Sequence, residues 1–373
     1  MKSIKDLKDL SGKKVVLRVD FNVPMKDGVI IDDFRIKKSL PTILFLQKKG
    51  AKVIIITHLG EAGTESLLPI SVRLKKYIKE VNFIPTSIFS DETEKKVNEM
   101  KKGDIVLLEN LRREIGETKN SPSFARALSR YGEIYINDAF SVSHREHASI
   151  VGITKYLPGY AGLQFISEIE NLSKVFNPTH PFLFILGGAK FDTKIPLIKK
   201  YLRSSDNIFI GGAIANDFFK VKGYETGTSL VDKGNFQIPL LLKAKNLILP
   251  IDVEVTKNSK SRFTKSSEVS PDENIVDVGP KTIEVLKDLI IKAGFILWNG
   301  PLGKYETGFG GATEEVLKMI SKSKAKNIIG GGDIVAVVSK LKIEDKLGFV
   351  STGGAATLDF LSKGTLPGIR VLK

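Results

Sequence analysis

The chain has 373 residues, 42% hydrophobic and 27% charged, with no cysteine and a formal net charge of +15. That length suggests two domains of ordinary size. The composition excludes disorder as the main state, and the missing thiols exclude disulfides, thiolate metal sites and a cysteine nucleophile.

A basic surface attracts anions of every kind, from nucleic acid to phosphorylated metabolites. No block of about five or six like charges appears, so the sum reads as a lysine-rich solvated surface. Residues Met1 to Leu10 alternate Lys and Asp with apolar residues and lack the apolar centre of a secretory signal. No stretch reaches the ~18 apolar residues of a membrane helix. The expectation is a cytoplasmic protein with no membrane partner.

In chain order, short runs rich in Val and Ile fall at 15–19, 53–56, 105–108, 134–136, 182–186, 208–210, 247–249, 295–298, 327–329 and 349–351. Most are near-continuous, the pattern of parallel strands buried on both faces. Helical spacing lies between them: Ile36, Leu40, Ile43 and Leu44; Ile195, Ile198 and Leu202; Val316, Leu317 and Ile320. Such alternation predicts α/β architecture in two Rossmann-like, doubly wound parallel-sheet domains. The boundary is expected within 151–170, where Pro158, Gly159 and Gly162 interrupt a helical pattern. This gives domains over 1–155 and 156–360, joined by a hinge helix near 166–176. The polar stretch 256–272 reads as a surface excursion.

Nearly every run ends in glycine or compact polar residues, where open α/β sheets bind ligands. The first half places Arg18, Asp20, Asn22, His58, Arg112 and Arg145 there, with Arg35 opening a helix. Guanidinium forks match carboxylate and phosphate oxygens. The second half places glycine turns there: Gly187-Gly188-Ala189-Lys190, Gly211-Gly212-Ala213, Asn299-Gly300-Pro301, Gly330-Gly331-Gly332-Asp333 and Gly353-Gly354. Such turns bring backbone N–H groups to a phosphate, and Asp333 adds a carboxylate suited to Mg²⁺. Neither a P-loop nor G-x-G-x-x-G occurs, which counts against P-loop enzymes, NAD dehydrogenases and protein kinases. His144 and His147 flank Arg145 and read as polar or anion-facing residues, His180 as a loop residue and Trp298 as core or pocket wall.

In combination and order, several segments resemble the phosphoglycerate kinase family along nearly the whole chain. They are Arg18-Val-Asp-Phe-Asn-Val-Pro24, Thr57-His-Leu-Gly60, Leu107-Leu-Glu-Asn-Leu-Arg112, the 137–149 loop, Gly187-Gly-Ala-Lys-Phe-Asp-Thr-Lys194, Trp298-Asn-Gly-Pro-Leu-Gly303, Gly330-Gly-Gly-Asp333 and Ser351-Thr-Gly-Gly354. The resemblance implies reversible phosphoryl transfer from 1,3-bisphosphoglycerate to MgADP, a phosphotransfer with a carboxyl group as acceptor, by a monomer that closes around its substrates.

It assigns 3-phosphoglycerate to Arg18, Asp20, Asn22, Arg35, His58, Arg112 and Arg145. It assigns the nucleotide to Gly188, Lys190, Lys194, Gly212, Asn299, Pro301, Glu306, Gly331, Gly332, Asp333 and Ile334. Magnesium goes to Asp333, and catalysis to Arg35, Lys194, Gly353 and Gly354. It also implies that the tail 361–373 packs on the N-terminal domain. Departures from the family pattern are Glu61-Ala62 where Arg-Pro is usual, Ala213 and Ala355 for glycines, and Ile334 for threonine. Two other readings stay open: a nucleic-acid-binding protein that uses the +15 charge, though no RNA-binding motif is present, and a different acyl-phosphate kinase or an inactive nucleotide-binding relative.

Overall fold

The computed structural model describes residues 1–232, 234 and 236–372. These fall into two compact units, one comprising Met1–Glu170 with Lys363–Lys373, the other Asn171–Ser362.

The first unit holds a six-stranded parallel sheet in the order Val81–Phe83, Ile105–Leu107, Lys52–Ile56, Lys14–Arg18, Ile134–Asn137, Gly159–Ala161. The central strands are buried along almost their whole length, as their unbroken apolar character requires. Helix Phe34–Lys48 buries Ile36, Ile43 and Leu46 but leaves Leu44 45% exposed. The chain leaves Lys14–Arg18 toward Lys52–Ile56 on one side, and later places Ile134–Asn137 on the other. Lys14–Arg18 and Ile134–Asn137 therefore form the topological switch point, where a crevice opens at the strands' carboxyl ends.

The second unit repeats the scheme in the order Leu247–Ile248, Asn207–Ile210, Phe182–Leu186, Phe295–Asn299, Lys326–Gly330, Phe349–Val350. Its switch point lies between Phe182–Leu186 and Phe295–Asn299. Phe182 and Phe184 meet the Tyr201 ring edge-on at 6.0 and 5.2 Å, which fixes helix Phe191–Tyr201 against this central strand.

Three features differ from the expectations. The division falls at Glu170/Asn171, later than 155, because Gly159–Ala161 pairs in parallel with Tyr135–Asn137 and so belongs to the first sheet. It lies within helix Leu163–Ser173. At the other end the first unit takes up the chain from Lys363, so Leu361 and Ser362 group with the second. Finally, the excursion expected at 256–272 contains strand Lys260–Lys265. That strand pairs with Asp252–Lys257 in a three-stranded antiparallel sheet completed by Asn274–Val278. It is almost wholly solvated, and a lone Phe263 gives no apolar run to mark it as a strand.

Candidate active site

In the first unit the crevice is built by three loops. Thr57 Oγ1 accepts the Phe21 N–H at 3.0 Å, and the Asp138 N–H donates to the Arg18 carbonyl at 2.8 Å, which joins the loops after Lys14–Arg18, Lys52–Ile56 and Ile134–Asn137. Arg35 donates from Nη1 to Asp20 Oδ2 at 2.7 Å and to the Asn22 carbonyl at 3.0 Å. Asn22 Oδ1 accepts the Gly60 N–H at 3.0 Å, and Arg112 Nη1 donates to the Gly60 carbonyl at 2.7 Å. Arg112 Nε is buried without a partner among the described residues.

Asp20 also accepts from the Ser141 hydroxyl. Burial would push its carboxyl up, but the Arg35 charge, with the Ser141 hydroxyl and the Asn22 N–H, holds it at about 2. Burial, and then Arg18, depress His58 well below its usual 6.5, with Arg112 and Arg35 adding to the effect and Asp20 opposing it. His58 is therefore neutral at pH 7. Its Nδ1 lies 3.1 Å from Arg18 Nη2. A guanidinium only donates, so Nδ1 must accept and Nε2 carries the proton. His147 is likewise held neutral: burial, then Arg18, Arg112 and Arg145, lower it to about 4. Arg112 is lowered by burial first and by Arg145 next, which is the signature of gathered guanidinium groups.

These residues thus assemble at one crevice, except that Arg18 lies behind it. Arg18 is 1% exposed and donates to Ser149 Oγ, the Val19 carbonyl and His58. Arg18, expected as a direct ligand contact, is instead buried in a supporting position. Glu61 is exposed, and its charge reaches Arg112. Sequence reasoning missed Ser141, Ser149 and Glu117. The two serines lie inside the 137–149 motif, whereas Glu117 carried no motif at all.

In the second unit the glycine turns interlock. Gly187 and Gly188 donate to the Asn299 and Pro301 carbonyls at 2.9 and 2.8 Å, and Gly212 to the Leu302 carbonyl at 3.2 Å. Gly212 has φ +60°, and a Cβ there would stand 2.5 Å from the Gly188 nitrogen. Gly331, at φ +108°, starts helix Gly332–Leu341 and brings its amide end beside Asn299. Asn299 Nδ2 is buried there with no protein partner.

A cavity of about 280 Å³ opens against these turns, walled by Phe219, Leu230 and Val276 and reaching Ala213, Tyr305 and Glu306. Its mostly apolar lining, with polar groups at one end, suits a purine base and its ribose. Gly188, Gly212, Pro301 and Asp333 also line it. Lys194, 6% exposed, donates from Nζ to the Gly187 carbonyl. Burial lowers its ammonium to about 8; Lys190 adds to this and Asp333 opposes it.

Lys190 is exposed at the start of helix Phe191–Tyr201. The Ile334 side chain is fully buried, so only its backbone can face a ligand. The Gly353 N–H donates to Ser351 Oγ at 3.1 Å, and Gly354, at φ +53°, precedes helix Ala355–Lys363. Among the described residues no group of three or more His, Asp or Glu could cage a metal. A lone exposed Asp333 fits a magnesium ion that keeps waters and takes its other ligands from nucleotide phosphates.

Fold and site together define a two-unit α/β kinase without a P-loop, with an arginine-rich crevice in one unit and glycine turns around a cavity in the other. The sequence profile of the phosphoglycerate kinase family matches residues 4–364. The chain is 41% identical to the phosphoglycerate kinase of Dictyoglomus turgidum, covering 100% of this chain and 99% of that protein. It is 43% identical to that of Thermosipho africanus, covering 98% and 96%. The solved structure of phosphoglycerate kinase from Pyrococcus horikoshii superposes with a TM-score of 0.90 at 31% identity, covering 100% and 98%. That from Coxiella burnetii gives 0.83 at 36%, covering 99% and 98%. The chain belongs to the phosphoglycerate kinase family.

Proposed function

We propose that the chain catalyses 1,3-bisphosphoglycerate + MgADP ⇌ 3-phosphoglycerate + MgATP, with the acid held by the first unit and the nucleotide by the second. The observation that carries this reading is the chemical split between the two switch points: charged side chains at one, backbone amides and an apolar cavity at the other. Asp20, Asn22, Arg35, His58, Arg112 and Arg145 hold the acid. Gly188, Gly212, Asn299, Pro301, Glu306 and the 331–334 turn hold the nucleotide, with Lys190 at its phosphates.

The nucleophile is an ADP phosphate oxygen in one direction and a carboxylate in the other. Both are already anionic, so no general base is needed and catalysis reduces to positioning and charge neutralisation. Lys194 and Arg35 neutralise the transferring phosphoryl group, and the amide end of helix Ala355–Lys363, after Gly353 and Gly354, adds partial positive charge. Asp333 would hold a magnesium ion, which would supply charge neutralisation to the nucleotide phosphates.

The test is a coupled assay with 3-phosphoglycerate and ATP. Wild type turns over, and Lys194→Ala and Arg35→Ala each lower kcat by about 10²–10³. Near-full kcat in both variants defeats the residue assignment, and an inactive wild type defeats the reaction. The family likeness also supports a cytoplasmic monomer, which light scattering of the purified chain checks for oligomeric state.

A further inference from the structure

Glu117 is fully buried, on the short helix Ile115–Thr118, and takes no part in the mechanism above. A buried carboxylate is costly unless its lone pairs are satisfied. Both Glu117 oxygens accept from Ser149: Oε2 accepts its N–H at 2.9 Å and Oε1 its hydroxyl at 2.6 Å, with His147 Nδ1 3.7 Å from Oε1. A serine hydroxyl has a single proton. With it given to Glu117, Ser149 Oγ can only accept, and it accepts Arg18 Nε at 2.9 Å. Tyr135 pins the same residue by donating to the Ser149 carbonyl at 2.6 Å. Arg18 in turn donates to the Val19 carbonyl and to His58 Nδ1. Arg18 can only donate, so it sets the direction of its bond to His58, and Glu117 acting through Ser149 holds the guanidinium where it makes that bond. The chain ends at His58 Nε2, which has no hydrogen-bond partner among the described residues and is not sealed from solvent.

We propose that Glu117, Ser149 and Arg18 are positioning residues, a buried relay that fixes His58 in the Nε2–H tautomer and aims that hydrogen at the substrate acid. This deepens the proposed function and rests on its assignment of His58 to the acid. Reversing or loosening any link frees Nδ1 to carry the proton, and a His58 with its lone pair toward an anion repels it. Arg18, Arg112, Arg35 and Asp20 are the charged groups that face the ring.

The experiment uses the full chain, labelled with ¹⁵N in its 4 histidines, and the variants Glu117→Gln, Ser149→Ala and Arg18→Lys. Wild-type His58 shows the Nε2–H signature with no titration between about pH 6 and 8. In Glu117→Gln and Ser149→Ala the signature becomes mixed. KM for 3-phosphoglycerate rises about tenfold as a charge-assisted bond is lost, while KM for ATP, bound by the other unit, stays within about twofold. An unaltered His58 signature overturns the relay, as do an unaltered KM for the acid or equal rises for both substrates. If Glu117→Gln fails to fold, Ser149→Ala decides alone. A His58→Ala variant separates the two readings. If it leaves the acid's KM unchanged, the site assignment fails; if it raises KM while the relay variants are silent, only the relay fails.

Discussion

The two units share a sheet plan but bind anions by opposite means. In the first, positive charge sits on side chains: Arg35 is held by Asp20, Arg112 by the Gly60 carbonyl, and Arg145 donates to His144 Nε2 at 3.4 Å. In the second it comes mostly from helix amide ends set behind glycine turns, with Lys194 as the one buried ammonium among the described residues. The difference teaches where each site is fragile. A side-chain site loses one contact per substitution, since a neighbouring guanidinium still neutralises the anion. A backbone site has no redundancy where three turns interlock, because one added methyl displaces several amides at once.

Gly212→Ala is the strongest way to break this contrast. Its φ of +60° is costly for alanine, and its Cβ would meet the Gly188 nitrogen at 2.5 Å and the Pro301 carbonyl at 2.9 Å. We expect nucleotide affinity to fall by about 10² while affinity for 3-phosphoglycerate is unchanged, because backbone strain and a displaced turn together cost roughly 2–3 kcal/mol. Calorimetric titration of each ligand separately reads this; parallel losses in both would refute the division of labour. Arg112→Ala should do less. Removing one charge-assisted contact costs about 1.5–3 kcal/mol, so KM for the acid rises about 10–100-fold, with KM for ATP unmoved. Steady-state kinetics varying each substrate in turn would show it.

The same contrast explains what could be read from sequence. Buried parallel strands announce themselves as runs such as Val53 to Ile56, and all ten runs named contain strand residues. Some edge elements do not: Val81–Phe83 and Gly159–Ala161 are short, and Lys260–Lys265 is solvated, with Phe263 its only apolar residue. Glycine turns are legible because the residue type itself states the backbone requirement. Arginine crevices are only half legible. Sequence placed Arg18 and Arg112 at equivalent strand ends, but not that Arg18 faces inward with its donors engaged while Arg112 keeps Nε unpaired. That depends on partners such as Glu117, which sits 32 residues from Ser149 in the chain and belongs to no motif.

The smallest expected effect sharpens the comparison by pH. None of the side chains assigned to the acid changes charge between about pH 8 and 9: guanidinium groups are protonated and His58 and His147 already neutral, while the carboxyl of Asp138 in the adjoining loop, raised by burial to about 7, is already charged there. Lys194 is different, with its ammonium lowered to about 8 by burial. The pH profile of kcat/KM for ATP reports the free enzyme, so it should halve near pH 8 and fall about tenfold per unit above it. At saturating ATP, bound phosphates restore the ammonium, and kcat/KM for 3-phosphoglycerate should stay level to about pH 9. Lys194→Arg should keep the first profile level as well. Unfolding cannot mimic the loss. The folded pKa lies below the unfolded 10.5, so between about pH 8 and 10.5 the unfolded chain binds more protons at this site. The Lys194 contribution to stability therefore rises with pH over the interval in which nucleotide binding falls, and thermal melts run beside the kinetics would separate the two.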